Sequence, residues 1–281
     1  RAREQGDPPF ELGLYGGTFT ALPLDWPERF LRTIRPFRAA GLVTRVRCST
    51  RPDAVEPARL AGLKDLGLDL VELGIQSFDD AALAASGRGY SGETAQAACR
   101  TVRQAGLGLG VQLLPGLPGD RPGVFRSDVD LTARLAPDCA RLYPCLVLEG
   151  TDLAALWRAG GYAPWSAARA RTELSLALSR LWRAGVPVIR LGLAPEPGLS
   201  GRVLAGPAHP AQGQQARSLA LLDSLRRQIV RLGRRPQGLE VPVGSQGEFW
   251  GHGGCLERAY ARLGLPRERV TASGDGFFRL V

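Results

Sequence analysis

At 281 residues the chain is long enough for one α/β barrel or two smaller domains, and its 44% hydrophobic and 22% charged content is that of a globular protein with a sizeable core. No apolar run approaches the ~18 residues a bilayer span needs and no signal-peptide pattern opens the chain, so no membrane partner is expected and a cytoplasmic location is. The net charge of +9 is almost wholly arginine, Lys64 being the only lysine. Spread along the whole chain, that charge is compatible with a nucleic-acid partner without identifying one.

Leu12–Tyr15 reads as a strand ending in Gly16-Gly17. Asp25, Pro27 and Glu28 then form a capping-box start for a helix that stops at Gly41. Val43–Cys48 is the next strand, trailed by a helix over Glu56–Leu66. Leu70–Ile75 is a strand, with Ser77 and Asp80 expected to cap the next element. A helix from Ser91 to Ala105 ends at Gly106. Leu109–Leu114 is a buried strand, Val124–Leu135 a helix, and Ala140–Leu148 one more strand. This alternation predicts a parallel sheet with helices outside it, in which ligands sit beyond the strand C-termini.

After residue 165 the texture changes. Ala167–Ala184 is a long helix, Val186–Leu193 a strand, and Pro195–Gly213 a stretch rich in proline and glycine. Ser218–Leu232 is an amphipathic helix with Leu219, Leu222, Leu225, Ile229 and Leu232 on one face. Arg226, Arg227, Arg231, Arg234 and Arg235 crowd its other face and end. A solvated helix face is the expected role of these arginines, with RNA contact as the competing one. Leu239–Val281 reads as a small mixed subdomain.

Five cysteines cannot form a complete disulfide framework, and none has Cys-x-x-Cys spacing, so zinc sites and redox motifs lack support. Cys139 and Cys145 fall six apart in an expected strand, hence on one face, and all five are expected to serve as small apolar residues. The two histidines, His209 in a proline-braced loop and His252 among glycines, are expected on surface loops rather than on a metal.

The polar residues at the strand ends carry the functional reading. Paired glycines leaving the first strand let backbone carbonyls and amides meet a ligand directly. In the third strand Glu72, Gly74 and Gln76 alternate with apolar residues, so one of its faces needs polar partners, supplied by a barrel interior or a ligand. Gln112 places another amide in an apolar strand, and Arg88 sits in a loop suited to a carboxylate or phosphate.

Taken in order, GLYGGTFTALP, STRPDAV, VELGIQSFDD, GRGYSGE, VQLLPGLPG and LYPCLVLEGTDLAALWRAGGY resemble the radical S-adenosylmethionine (SAM) superfamily, and within it the branch containing the elongator catalytic subunit. VIRLGLAPEP and VLAGPAHPAQG extend the likeness more loosely. The resemblance implies a partial TIM-type (β/α)6 barrel with a C-terminal α/β elaboration, divided as residues 1–165 and 166–281. It implies SAM and a [4Fe-4S] cluster as cofactors, an electron donor for the cluster, and radical-based modification of a substrate, with RNA as the class suggested. By motif, Gly16, Gly17 and Thr18 would receive the SAM amino group on backbone carbonyls. Gln76 and Gln112 would hold ribose or methionyl polar atoms, and Arg88 the methionine carboxylate. Tyr143 would touch adenine or substrate. Ser49 stands where relatives often carry a carboxylate, so its contact to SAM would be weaker.

The Cys-x-x-x-Cys-x-x-Cys motif that ligates the cluster in this superfamily does not occur among the 281 residues. Together with the absence of methionine and of a first barrel strand, this leads to the expectation that the ligands lie upstream of Arg1. A cluster-less protein that binds SAM or a nucleotide without radical chemistry is the alternative.

Overall fold

The computed structural model describes residues 8–193, 198 and 200–281. The last residues of the VIRLGLAPEP string, Ala194–Pro197, lie outside these. Contacts within the chain divide it into two units, one of Arg1–Tyr143 with Ala184–Arg190, the other of Pro144–Arg183 with Leu191–Val281. The first unit carries β1 (Phe10–Leu14), α1 (Trp26–Ala39), β2 (Val43–Thr50), α2 (Pro57–Asp65), β3 (Leu70–Gln76), α3 (Asp80–Ala85), α4 (Gly92–Gln104), β4 (Gly108–Leu113), α5 (Val124–Leu135) and β5 (Cys139–Leu142). The chain then enters the second unit with β6 (Val147–Leu148), α6 (Asp152–Arg158) and α7 (Ala167–Arg183). After returning to the first sheet as β7 (Val188–Leu191), it continues with β8 (Val203–Ala205), α8 (Gln212–Leu232), β9 (Leu239–Pro242), α9 (Gln246–Trp250), α10 (Glu257–Arg262), β10 (Val270–Ser273) and β11 (Arg279–Leu280).

Six parallel strands in the order β1-β2-β3-β4-β5-β7 curl into part of a TIM-type barrel. Alternation along each strand sorts side chains between two faces. Val46 of β2 lies with Leu31 and Ile34 of α1 and with Leu66 just beyond α2, so its face is the helix-covered exterior. Arg45, Arg47 and Ser49 therefore point to the interior. Their counterparts are set by register, since Arg47 stands beside Gly13, Ser49 beside Glu72, Glu72 beside Gly110, and Gln112 beside Arg141.

The lower end of the sheet is fastened by the same arrangement twice. Asp69, just before β3, accepts the backbone N–H of Val46 at 2.7 Å and receives both guanidinium arms of Arg38, at 2.6 and 2.8 Å. Asp138, just before β5, accepts the N–H of Leu109 at 2.7 Å and pairs with Arg103 of α4 at 2.8 Å. In each case one carboxylate joins a strand, its neighbour and an outer helix. A fork-on-carboxylate pair such as Arg38–Asp69 adds directional hold to the charge attraction.

Several local expectations are corrected. Asp25 occupies the N-cap of α1, but its side chain makes no capping hydrogen bond and Glu28 Oε2 is buried without a partner, so the capping box does not close. The cap of α3 is Asp79, whose Oδ1 accepts the N–H of Ala82 at 2.9 Å. Ser77 and Asp80 are used elsewhere, Asp80 accepting the N–H of Gly92 at 2.7 Å. The strand expected over Ala140–Leu148 is two strands in two sheets, because Pro144 removes a ladder donor and ends β5. Cys139 and Cys145 therefore do not share a strand face. Four of the cysteines are buried as expected and Cys255 is exposed.

In the second unit α8 begins six residues earlier than the amphipathic pattern indicates, at Gln212. Leu225 is buried in a core with Leu239, Val241, Phe249 and Tyr260, while Leu219, Leu222 and Ile229 pack against it. Leu232, expected on the same face, is 40% exposed. A three-stranded sheet in the order β10-β9-β11 completes the mixed tail. No helix of the described residues is long and apolar enough to cross a membrane.

The loop leaving β3 is held by a buried carboxylate. Asp128 of α5, 4% exposed, accepts the Ser77 hydroxyl and the Phe78 N–H, each at 2.8 Å. Burial raises its pKa to about 6, more than these two bonds lower it. Because the folded value lies above the unfolded one, stability is greatest below the unfolded value and falls as pH rises from about 4 to 6. Asp128→Asn keeps an acceptor for Phe78 and a donor toward Ser77, and should flatten that fall by ~1–3 kcal/mol in urea unfolding curves across this window.

Candidate functional site

The interior of the first unit is polar, and its centre is Glu72, 2% exposed. Its Oε1 accepts the Tyr15 hydroxyl at 2.6 Å and an Arg141 Nη2–H at 3.1 Å. Its Oε2 lies 2.5 Å from Arg141 Nε, and its Oε1 is 3.5 Å from Arg47 Nε. Arg141 also donates to the Tyr15 oxygen, donates to the Tyr143 hydroxyl at 3.1 Å, and sets its guanidinium 4.8 Å from the Tyr15 ring centroid. One carboxylate thus collects a phenol just past β1, one guanidinium from β2 and another from β5. Burial and the hydrogen bond to Glu72 hold the Tyr15 phenol well above its ordinary pKa. Cys139, on the same interior face, is pushed up to about 11 by burial and then by the Glu72 charge, which keeps it a thiol.

The backbone makes room for this cluster. A Cβ on Gly110 would come within 2.7 Å of Glu72 Cγ, and one on Gly13 within 2.2 Å of the Tyr15 ring. The sequence marked Glu72 as needing partners but did not supply Tyr15, Arg47 or Arg141. The available signal is the same alternation, with arginine at the alternate positions 45 and 47 of Val43–Cys48 and once in Cys139–Leu142.

Above this cluster lie the strand ends. Gln76 closes β3 in a left-handed conformation, φ 68°, a few per cent occurrence for a residue with a side chain. A hydrogen bond from Ser77 N–H to Ile75 O at 2.8 Å closes a three-residue turn around it, and the Leu114 N–H holds its carbonyl at 2.8 Å. Tyr90 donates to Gly74 O and Ile75 O at 2.8 and 3.0 Å, fixing the same turn from the other side. Gln76 is 7% exposed and its Oε1 is buried with no partner.

Gln112 directly precedes Leu113, the β4 residue that pairs with Gln76. Arg88 precedes Tyr90 by two residues, its carbonyl bound by Arg51 at 2.9 Å and its Nε buried without a partner. Tyr143 comes directly after β5 and Ser49 lies near the end of β2, on the interior face. Gly16 and Gly17 leave β1 exposed, at φ 115° and 151°, with open space where a Cβ would stand. Thr18 begins the turn after them, its carbonyl accepting the Ala21 N–H at 3.0 Å. Gln76, Gln112 and the Arg88 loop thus share one end of the sheet, with the two glycines at the same end of its edge strand.

A family model described as the radical SAM superfamily matches residues 4–131, and one for the radical SAM C-terminal domain matches residues 137–220. The chain belongs to the radical SAM superfamily. The tRNA uridine(34) acetyltransferase of Methanocaldococcus infernus is 28% identical over 189 residues, covering 60% of this chain and 35% of that protein. The protein of the same name from Dehalococcoides mccartyi is 30% identical over 179 residues, covering 55% and 38%. Human elongator complex protein 3 is 27% identical over 181 residues, covering 56% and 32%. The chain therefore spans about a third of the length of the curated relatives it matches. Among solved structures, the archaeal Elp3 of Methanocaldococcus infernus with an N-terminal deletion superposes with a TM-score of 0.66 at 24% identity, covering 80% of this chain and 57% of that one, a likeness of fold.

The superfamily works with SAM and a [4Fe-4S] cluster. The strand-end residues fit a polar ligand of SAM type, since Gln76 Oε1 and Arg88 Nε are an acceptor and a donor left unmatched on neighbouring segments. They do not fit the cluster. Among the described residues no group of three or more cysteine, histidine or acidic side chains could hold a metal ion, and Cys48 and Cys99 are pushed up to about 12 chiefly by burial.

Glu72→Gln removes the carboxylate that faces both Arg47 and Arg141, and should cost ~3–5 kcal/mol in denaturant unfolding, the range for breaking a buried pair. In whatever fraction stays folded, the Tyr15 phenol should ionise at lower pH than in the parent protein, read from phenolate absorbance against a Tyr15→Phe control.

Proposed function

We propose that this chain forms the SAM-holding part of a radical SAM enzyme that modifies RNA. The observation that carries the proposal is the strained, unpartnered Gln76 beside Gln112 and the Arg88 loop. A left-handed glutamine costs of order 1–3 kcal/mol, and such strain persists where the surroundings impose it at a functional site. The buried Oε1 adds the desolvation cost of an acceptor that a ligand would satisfy.

In this reading Arg88 pairs with the methionine carboxylate of SAM, and Gln76 and Gln112 bond ribose or methionyl polar atoms. The carbonyls of Gly16, Gly17 and Thr18 take the amino group. Thr18 has one lone pair already engaged by Ala21, which leaves the two glycines as the freer acceptors. Ser49 contributes a hydroxyl from β2, and Tyr143, its hydroxyl anchored by Arg141, offers its ring to adenine or substrate. When bound, SAM supplies a hydrogen-abstracting radical in this superfamily. Thiolates for such a cluster would have to come from outside the described residues. RNA as substrate is supported by the tRNA-modifying names of the relatives and by a net charge of +9.

Ligand-detected NMR of SAM with the chain tests the site without turnover. Arg88→Ala should weaken binding ~10-fold or more and Gln112→Ala ~5-fold, because a hydrogen bond to a charged group contributes ~1.5–3 kcal/mol against ~1 for a neutral one. Equal binding by the parent and both variants would remove SAM from these strand ends. Gly17→Val is a poor steric probe, since φ 151° strains any side chain there before a ligand is met.

A further inference from the structure

The second unit contains a cavity that neither the SAM reading nor its relatives' names account for. About 420 Å³ in volume, it lies between α7, α8 and the turn after α9, lined by Arg171, Gln215, Ser218, Leu219, His252, Cys255 and Leu256. That volume is within the ~300–1,000 Å³ of small-molecule sites.

Its electrostatics are one-sided. Arg171 is half-buried and has no acidic partner among the described residues, and no carboxylate lines the space. Gln215 and His252 add hydrogen-bonding groups, while Leu219 and Leu256 form an apolar wall. The ring of His252 is held edge-on by His209 at 6.0 Å, and His209 is itself fixed because its Nδ1 accepts the Ala211 N–H at 3.0 Å. Gly251, at φ 76°, lets the turn close on itself, since a Cβ there would come within 2.9 Å of Cys255 Sγ. A guanidinium without its own counter-ion, flanked by hydrogen-bonding groups and an apolar wall, is suited to a planar or tetrahedral oxyanion attached to a short apolar group.

We propose that this cavity is a second binding site, distinct from the strand ends of the first unit, for a small organic anion bearing a carboxylate or a phosphate. Arg171 takes the anionic head, Gln215 and His252 orient it, and Leu219 and Leu256 cover the apolar part. Cys255 borders the site and is the exposed cysteine of the five.

That exposure gives a direct test on the full chain. Native alkylation by iodoacetamide reads Cys255, because the other four thiols are buried. Inorganic phosphate and butyrate, each at millimolar concentration and compared with sodium chloride of equal ionic strength, are the probes. Either anion should slow Cys255 alkylation several-fold and saturably, and whichever does so identifies the head group. The same anion should move one of the two histidine ring-proton NMR signals, that of His252 as assigned by His252→Gln. Arg171→Gln should abolish both effects, and Arg171→Lys, which keeps the charge, should retain part of them. Alkylation and NMR signals unchanged from the chloride control would overturn the proposal, as would protection that survives Arg171→Gln. Neither readout involves SAM or a cluster, so its failure leaves the strand-end reading standing.

Discussion

A carboxylate at 2% exposure is costly unless its charge is met, and the first unit is organised around meeting that of Glu72. The groups that do so come from the far sides of the half-barrel, Tyr15 and Arg141 lying 126 residues apart in sequence. Each must be in place for the others to be satisfied, so the cluster fixes how β1, β2, β3 and β5 sit together more strictly than apolar packing would. Gly110 is the geometric counterpart of that demand, the strand next door having no room for a side chain beside Glu72.

Four positions on, the same strand carries a left-handed residue. Gln76 keeps its left-handed turn because backbone groups on both sides of it are held. Tyr90 binds two carbonyls before and at the turn, Leu114 binds the Gln76 carbonyl, and Asp128 grips the two residues after it. The turn is thus held by three residues from three different segments, Tyr90, Leu114 and Asp128. In the proposed reading, that hold aims the buried Gln76 amide at SAM.

Much of this is visible in the sequence. The alternation of strand and helix, the polar strand ends and the order of six motifs lead to the parallel half-barrel, and α5 runs over the residues expected of it. Glu72 stands out as a polar residue in an apolar strand, because a period of two is local information. Its partners do not, because pairing across a barrel depends on register between strands that the sequence does not fix. The break at Pro144 is hidden for a related reason. Apolar residues continue on both sides of the proline, and hydrophobicity alone does not show that a chain has left one sheet for another. Asp79 is indistinguishable as a cap from Ser77 and Asp80, because all three are residue types that serve equally well. The choice among them is made by Asp128 and Gly92, which compete for the other two.

The paired aspartate fastenings at the lower end of the sheet have a consequence for motion. Asp69 and Asp138 tie strands and helices together at the end away from the polar strand termini, and the strain at Gln76 is stored at the other. Parting β2 from β3, or β4 from β5, at the base therefore breaks a strand-to-strand tie and a strand-to-helix tie through the same carboxylate, so opening there is cooperative rather than strand by strand.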